Sequence, residues 1–129
     1  MKSQLTRLLL ILLTVTLASC EGGTTFTKKI ENQSEDTLTV FIYSYADQKG
    51  PLSVPPGTAR EIFWSDRMGM FVGEDYTCTD EIDSLAILVE GGKMITFDPL
   101  DDNRWFMEQK GGRNARVICT LVISGRDLQ

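Results

Sequence analysis

The residues of this 129-residue chain that could do chemistry are three cysteines, several acidic clusters and a set of large aromatics. Histidine is absent. Its absence removes Ser-His-Asp hydrolysis, Cys-His nucleophiles and histidine-ligated zinc together. No GxGxxG, P-loop or HExxH motif occurs. Asp98, Asp101, Asp102 and Asn103 carry oxygens of the kind that calcium takes. Their spacing is not that of an EF-hand loop and no glycine holds the needed turn, so they read as a solvated polar turn. Neither a metal site nor a cofactor is assigned. Glu74, Asp75, Asp80, Glu81 and Asp83 fall in one polar stretch. A glycosidase-type hydrolase needs two carboxyls facing each other across a sugar at about 5 to 10 Å. Loop spacing does not supply that pairing, so no catalytic residue is assigned and a carboxylate hydrolase stands only as an alternative. Tyr43, Tyr45, Trp64, Tyr76, Trp105 and Phe106 include several near predicted strand ends or loops. Exposed rings stack on sugar faces and anchor protein interfaces. Tyr45 and Trp105 are the candidate ligand-binding rings, against the plainer reading of core packing.

The first twenty residues have the layout of a secretory leader. Lys2 and Arg7 precede Leu8 to Leu17, an uncharged run broken only by Thr14 and Thr16, and the small residues Ala18 and Ser19 follow. As a helix that run is about 15 Å long, against roughly 30 Å of hydrocarbon, too short for a permanent span. Leu17-Ala18-Ser19-Cys20 resembles the lipobox of bacterial lipoproteins: an aliphatic residue, two small ones, then cysteine. The resemblance implies removal of residues 1–19, a diacylglyceryl group on the Cys20 thiol and acylation of the new N-terminus. It therefore implies attachment to a membrane through lipid. Each buried methylene contributes about 0.8 kcal/mol, so several chains anchor where one holds marginally. Residues 20–25 read as lipidated cysteine and short tether, and 26–129 as the folded domain. Glu21 follows the cysteine, so the aspartate that commonly retains lipoproteins at the inner membrane is absent. The expected location is the cell envelope, at the outer membrane, with the periplasmic and surface faces both open.

If Cys20 is lipidated, Cys78 and Cys119 remain as an even pair in an oxidising compartment. A disulfide is the leading reading and two reduced thiols the alternative. Neither lies in a CxxC. Taking Lys2 and Arg7 from the 13 basic residues leaves 11 against 18 acidic ones, a net charge of −7. With no basic run, the chain is not expected to bind nucleic acid.

The elements that must position these residues are strands. Phe26, Lys28 and Ile30 alternate with Thr27 and Lys29. Thr37 to Tyr45 is β-branched and aromatic on both faces, the mark of a central or covered strand. A short strand ends at the Pro55-Pro56-Gly57 turn, another runs from about Thr58 to Trp64, and "GMFV" is a candidate for a further one. Gly73 to Asp83 reads as a loop. "SLAILV" and "KMITF", joined by Glu90-Gly91-Gly92, read as a hairpin. "RWFM" is a strand or a helical turn, and "ARVICTLVIS" puts Ala115, Val117, Cys119, Leu121 and Ile123 on one face. The expectation is an all-β, immunoglobulin-like sandwich of seven or eight antiparallel strands.

The order "IENQSEDTLTVFIYSY", "LSVPPGT", "DSLAILVEGGKMITF" is similar to small β-sandwich lipoproteins of anaerobic Gram-negative gut bacteria. That resemblance implies a non-catalytic envelope lipoprotein, a binding or structural accessory whose partner is a glycan or an envelope protein.

Overall fold

A computed structural model describes residues 22–45, 47–69 and 75–129, together with Ser3, Gln4 and Arg7. The rest of residues 1–21, Cys20 among them, most of "GMFV" and Glu74 lie outside the described residues. Seven strands form two packed sheets: β1 (Gly23–Gln33), β2 (Leu38–Ser44), β3 (Asp47–Val54), β4 (Ala59–Met68), β5 (Ser84–Val89), β6 (Trp105–Lys110) and β7 (Asn114–Ser124). One sheet has the order β4-β1-β7-β6, the other β3-β2-β5. The four-plus-three division is that of an immunoglobulin-type sandwich. The route of the chain differs, because β1 and β2 lie in opposite sheets.

Strand alternation builds the core. Phe26, Ile30, Leu38, Val40, Ile42, Val117, Cys119, Leu121 and Ile123 all turn inward and are almost fully buried. Such alternation is what a two-layer sheet requires, since successive side chains point to opposite faces. β2 is the middle strand of its sheet, as its two apolar faces require. β3 ends at Val54, one residue before Pro55, and lies at an edge. The turn that follows uses Gly57 at φ +71°, a conformation open to glycine at no steric cost.

Three expectations are corrected. The strands are not all antiparallel: β1 runs parallel to β7 in unbroken register from Gly23↔Asn114 to Gln33↔Ser124. Parallel neighbours need a long crossover, and here the whole chain between them supplies it. The "KMITF" hairpin does not form. Glu90–Gly92 is a single 3-10 turn, and Ile95 makes only an isolated bridge to Leu128. Met94 exchanges backbone bonds with Gln129 instead, and Thr96 N donates to the Asp127 carbonyl, so the segment is held by residues 127–129. Finally, residues 23–25 belong to β1 rather than to a tether. Thr24 is buried and its hydroxyl donates to the Gly69 carbonyl at 2.9 Å.

Besides Thr24, two polar side chains stand on the inner face of β1. Asn32 is fully buried. Its amide nitrogen donates to the carbonyls of Asp36 and Val54, both at 2.8 Å. Its oxygen accepts from Ser34 N at 2.9 Å and Ser34 Oγ at 2.7 Å. One side chain thus closes the β1–β2 connection and ties it to the end of β3. Replacing Asn32 with Ala leaves buried donors and acceptors unpaired, each costing about 1–3 kcal/mol. The expected result is a drop of that order or more in the free energy of unfolding, read from urea melts.

Candidate functional site

The second inward polar residue is Lys28, which has no exposed surface. Its Nζ donates to the carbonyls of Cys78 and Asp80, both at 2.6 Å, and to Tyr76 Oη at 3.0 Å. The ammonium also lies 5.4 Å from the centre of the Phe63 ring and 5.1 Å from that of Tyr76. Aromatic faces attract cations most strongly where water is excluded. Lys28 therefore fastens the segment 75–83 across the inner edge of the sandwich. The Cys78–Cys119 disulfide fastens the same segment to β7, and Cys119 is the register partner of Lys28. The disulfide reading of the two cysteines thus holds in the structure.

Phe63 reaches Lys28 because β4 carries a bulge. The β1–β4 register shifts between Lys28↔Phe63 and Lys29↔Glu61, leaving Ile62 as the extra residue. A bulge breaks the alternation of faces, so the consecutive residues Ile62 and Phe63 both pack against the core. Trp64, next in the chain, is half exposed.

Above this cluster is a groove of about 230 Å³ lined by Ile42, Tyr45, Asp47, Phe63, Trp64 and Glu81, with Ser44, Lys49 and Ser65 at its margins. Tyr45 is 90% exposed and Trp64 50%. Glu81 has a left-handed backbone at φ +69°, which costs a non-glycine residue about 1–2 kcal/mol. Its carboxylate accepts from Ser65 Oγ at 3.0 Å and Arg67 Nη2 at 2.5 Å. The carboxylate bond holds the Arg67 guanidinium above its ordinary range. The groove wall is therefore a strained residue pinned at its side chain by β4. Its backbone is pinned one residue earlier, where Lys28 holds the Asp80 carbonyl.

No family model matches the chain, and neither a curated protein nor a solved structure matches it.

The expected site residues separate. Tyr45 is exposed in the groove. Trp105 is not a surface ring: it is 8% exposed and its Nε1 donates to the Pro99 carbonyl at 2.8 Å. The turn before β6 folds back over it, so it joins the core. Trp64, not singled out from sequence as a leading ring, takes its place beside Tyr45. Of the acidic residues, Asp80, Asp98 and Asp101 serve local structure. Asp98 caps Leu100 N, Asp101 accepts from Asn103, and Asp80 accepts from Thr77 N and Oγ1. Among the described residues, no three His, Cys, Asp or Glu side chains are grouped to hold a metal. Lys28 was missed by sequence reasoning, although a signal was present. It alternates in phase with Phe26 and Ile30, so a lysine stood at an inward position.

Burial pushes the Lys28 ammonium down to about 8, with Glu81, Asp80 and Asp102 pulling it back up in part. Burial also drives the Tyr76 phenol well above its usual range, so it keeps its proton. The neutral amine still donates to both carbonyls, and its lone pair can accept the Tyr76 hydroxyl. Loss of the proton therefore leaves the cluster intact. The folded amine gives up its proton near pH 8, while the unfolded one keeps it to about 10.4. Between these values the unfolded state binds more protons, so Lys28 makes stability rise with pH. Above about pH 10 the protonated Tyr76 opposes this. Denaturant melts from pH 7 to 10 should show the rise in the native chain and not in Lys28→Met. Lys28→Met also orphans two carbonyls, and its stability at pH 7 should change by about 1–3 kcal/mol per orphaned group, offset by relief of the buried charge.

Proposed function

We propose that this chain is a lipid-anchored lipoprotein of the cell envelope whose β-sandwich works by binding, with the Tyr45–Trp64 groove as its ligand site. The observation that carries the binding reading is the pair of exposed rings on one groove, flanked by Asp47, Glu81, Ser44 and Ser65. A sugar presents an apolar face and a rim of hydroxyls. Aromatic rings accept the first and carboxylates or hydroxyls the second. The volume suits one ring-sized group, and concave sites of this kind combine apolar walls with a few orienting polar groups. A saccharide end group is accordingly the ligand class favoured, and an envelope protein is the second reading, through the same rings.

Anchoring rests on the lipobox and its leader. Only Glu21 and Gly22 separate Cys20 from the start of β1. At about 3.3 Å per residue, such a link keeps the domain close against its membrane.

Titration of the full chain against a saccharide panel should find a ligand whose affinity falls about tenfold or more in Trp64→Ala and in Tyr45→Ala, with Phe106→Ala as an exposed control that leaves it unchanged. Absence of binding across the panel removes the saccharide reading. Metabolic labelling with a fatty-acid probe tests the anchor separately: the native chain labels and Cys20→Ala does not, whereas equal labelling of both rules out attachment at Cys20.

A further inference from the structure

The four sheet edges are not alike. Edge strands offer unpaired N–H and C=O groups to any strand that approaches, and proteins blunt them with charge, proline or bulges. β3 carries Lys49, Pro51 and a register shift at Gly50. At Gly50, φ is +133° and a Cβ would meet the Val40 carbonyl, so the irregularity is built into the backbone. β4 carries Arg60, Glu61, Asp66 and Arg67, and β6 carries Glu108 and Lys110. β5, Ser-Leu-Ala-Ile-Leu-Val, has neither a charge nor a proline nor a bulge in its pairing with β2. Among the described residues, its only backbone partners lie on the β2 side.

The register says which groups are free. Glu90 N donates to Thr37 O in line with the pairs Val89↔Leu38 and Leu88↔Thr39. Bonded pairs alternate along an antiparallel ladder, so Ser84, Ala86 and Leu88 bond to β2. Leu85, Ile87 and Val89 turn their N–H and C=O groups outward, a six-residue strand with three open positions.

We propose that β5 pairs antiparallel with β5 of a second copy of this chain, about a two-fold axis at Ile87. That register sets Ile87 against itself and Leu85 against Val89, joining outward-turned backbone groups on both sides. The inner faces of the two sheets then continue into one another. On the outer face it sets Ala86 against the exposed Leu88 of the other copy, small against large. Within Ser84–Val89 no charged residue is present, so the paired strands bring no like charges opposite each other. This self-complementarity favours a second copy over a foreign strand, for which the outer row Ser84, Ala86, Leu88 offers almost no side-chain pocket. The product is a six-stranded sheet, β3-β2-β5-β5-β2-β3, closed by two-fold symmetry. An interface of two strands is small, so the dimer is a reversible one. It does not depend on the groove or on the lipid anchor.

Cysteine trapping in the full-length chain tests the register. Ala86→Cys with Leu88→Cys should give a reductant-sensitive dimer on non-reducing gels, above the baseline of the unsubstituted chain, which keeps Cys20, Cys78 and Cys119. Phe106→Cys, exposed on the other sheet, should stay at that baseline. In sedimentation equilibrium the native chain should associate and Leu88→Lys should weaken association by about tenfold or more, with unchanged circular dichroism as the control for folding. Trapping no stronger than for Phe106→Cys overturns the register. A native chain that sediments as a monomer at all accessible concentrations overturns the dimer.

Discussion

The ammonium of Lys28 is the constraint around which this sandwich is arranged. A charge with no exposed surface must find partners or be lost from the fold, and every partner it finds comes from elsewhere in the sequence. The carbonyls of Cys78 and Asp80 and the hydroxyl of Tyr76 lie about fifty residues away in the chain. An extended polar segment, without strand or helix of its own, becomes a fixed wall because a lysine in β1 requires its carbonyls. The dependence is mutual, since those carbonyls have no strand partner and would otherwise turn to water.

The disulfide and the lysine act on this segment in different ways. The Cys78–Cys119 bond closes a loop with a sequence separation of 41, and in the chain-entropy account it acts mainly by restricting the unfolded chain, by about 4 kcal/mol. Lys28 acts within the folded state and fixes the path between the bond and the groove. One residue beyond its last acceptor stands Glu81, held at positive φ with its carboxylate on Ser65 and Arg67. Strain of this kind persists where the surroundings over-determine it. The same segment therefore joins core, cross-link and groove, and its rigidity is what gives the Tyr45–Trp64 surface a definite opposite wall.

Much of the sandwich was legible in the chain. The alternation in "ARVICTLVIS", the double-faced "TLTVFIYSY" and the Pro55-Pro56-Gly57 stop each state a local rule that the structure obeys. The failures are those of partners. "KMITF" reads as a strand on its own, yet a strand is defined by what it pairs with, and here the C-terminal residues capture it. Trp105 sits beside turn residues and reads as exposed, yet that turn folds back to bond its ring nitrogen. Trp64 follows a bulge, and a bulge is a relation between two strands that neither sequence states alone. Lys28 stood in phase with the core and gave a signal that alternation by itself could not interpret.

What the sequence by itself determined is the set of short-range matters: a two-layer β fold, the positions of most strands, the turn chemistry and the absence of histidine chemistry. These follow from side-chain period, backbone stiffness and composition, which act within a few residues. The tertiary structure decided which strands are neighbours, the parallel register of β1 on β7, the burial of Trp105, the pairing of the cysteines and the cradle of Lys28. Each of these depends on groups far apart in the chain meeting in a dry interior, where an unpaired polar atom costs more than the order needed to pair it.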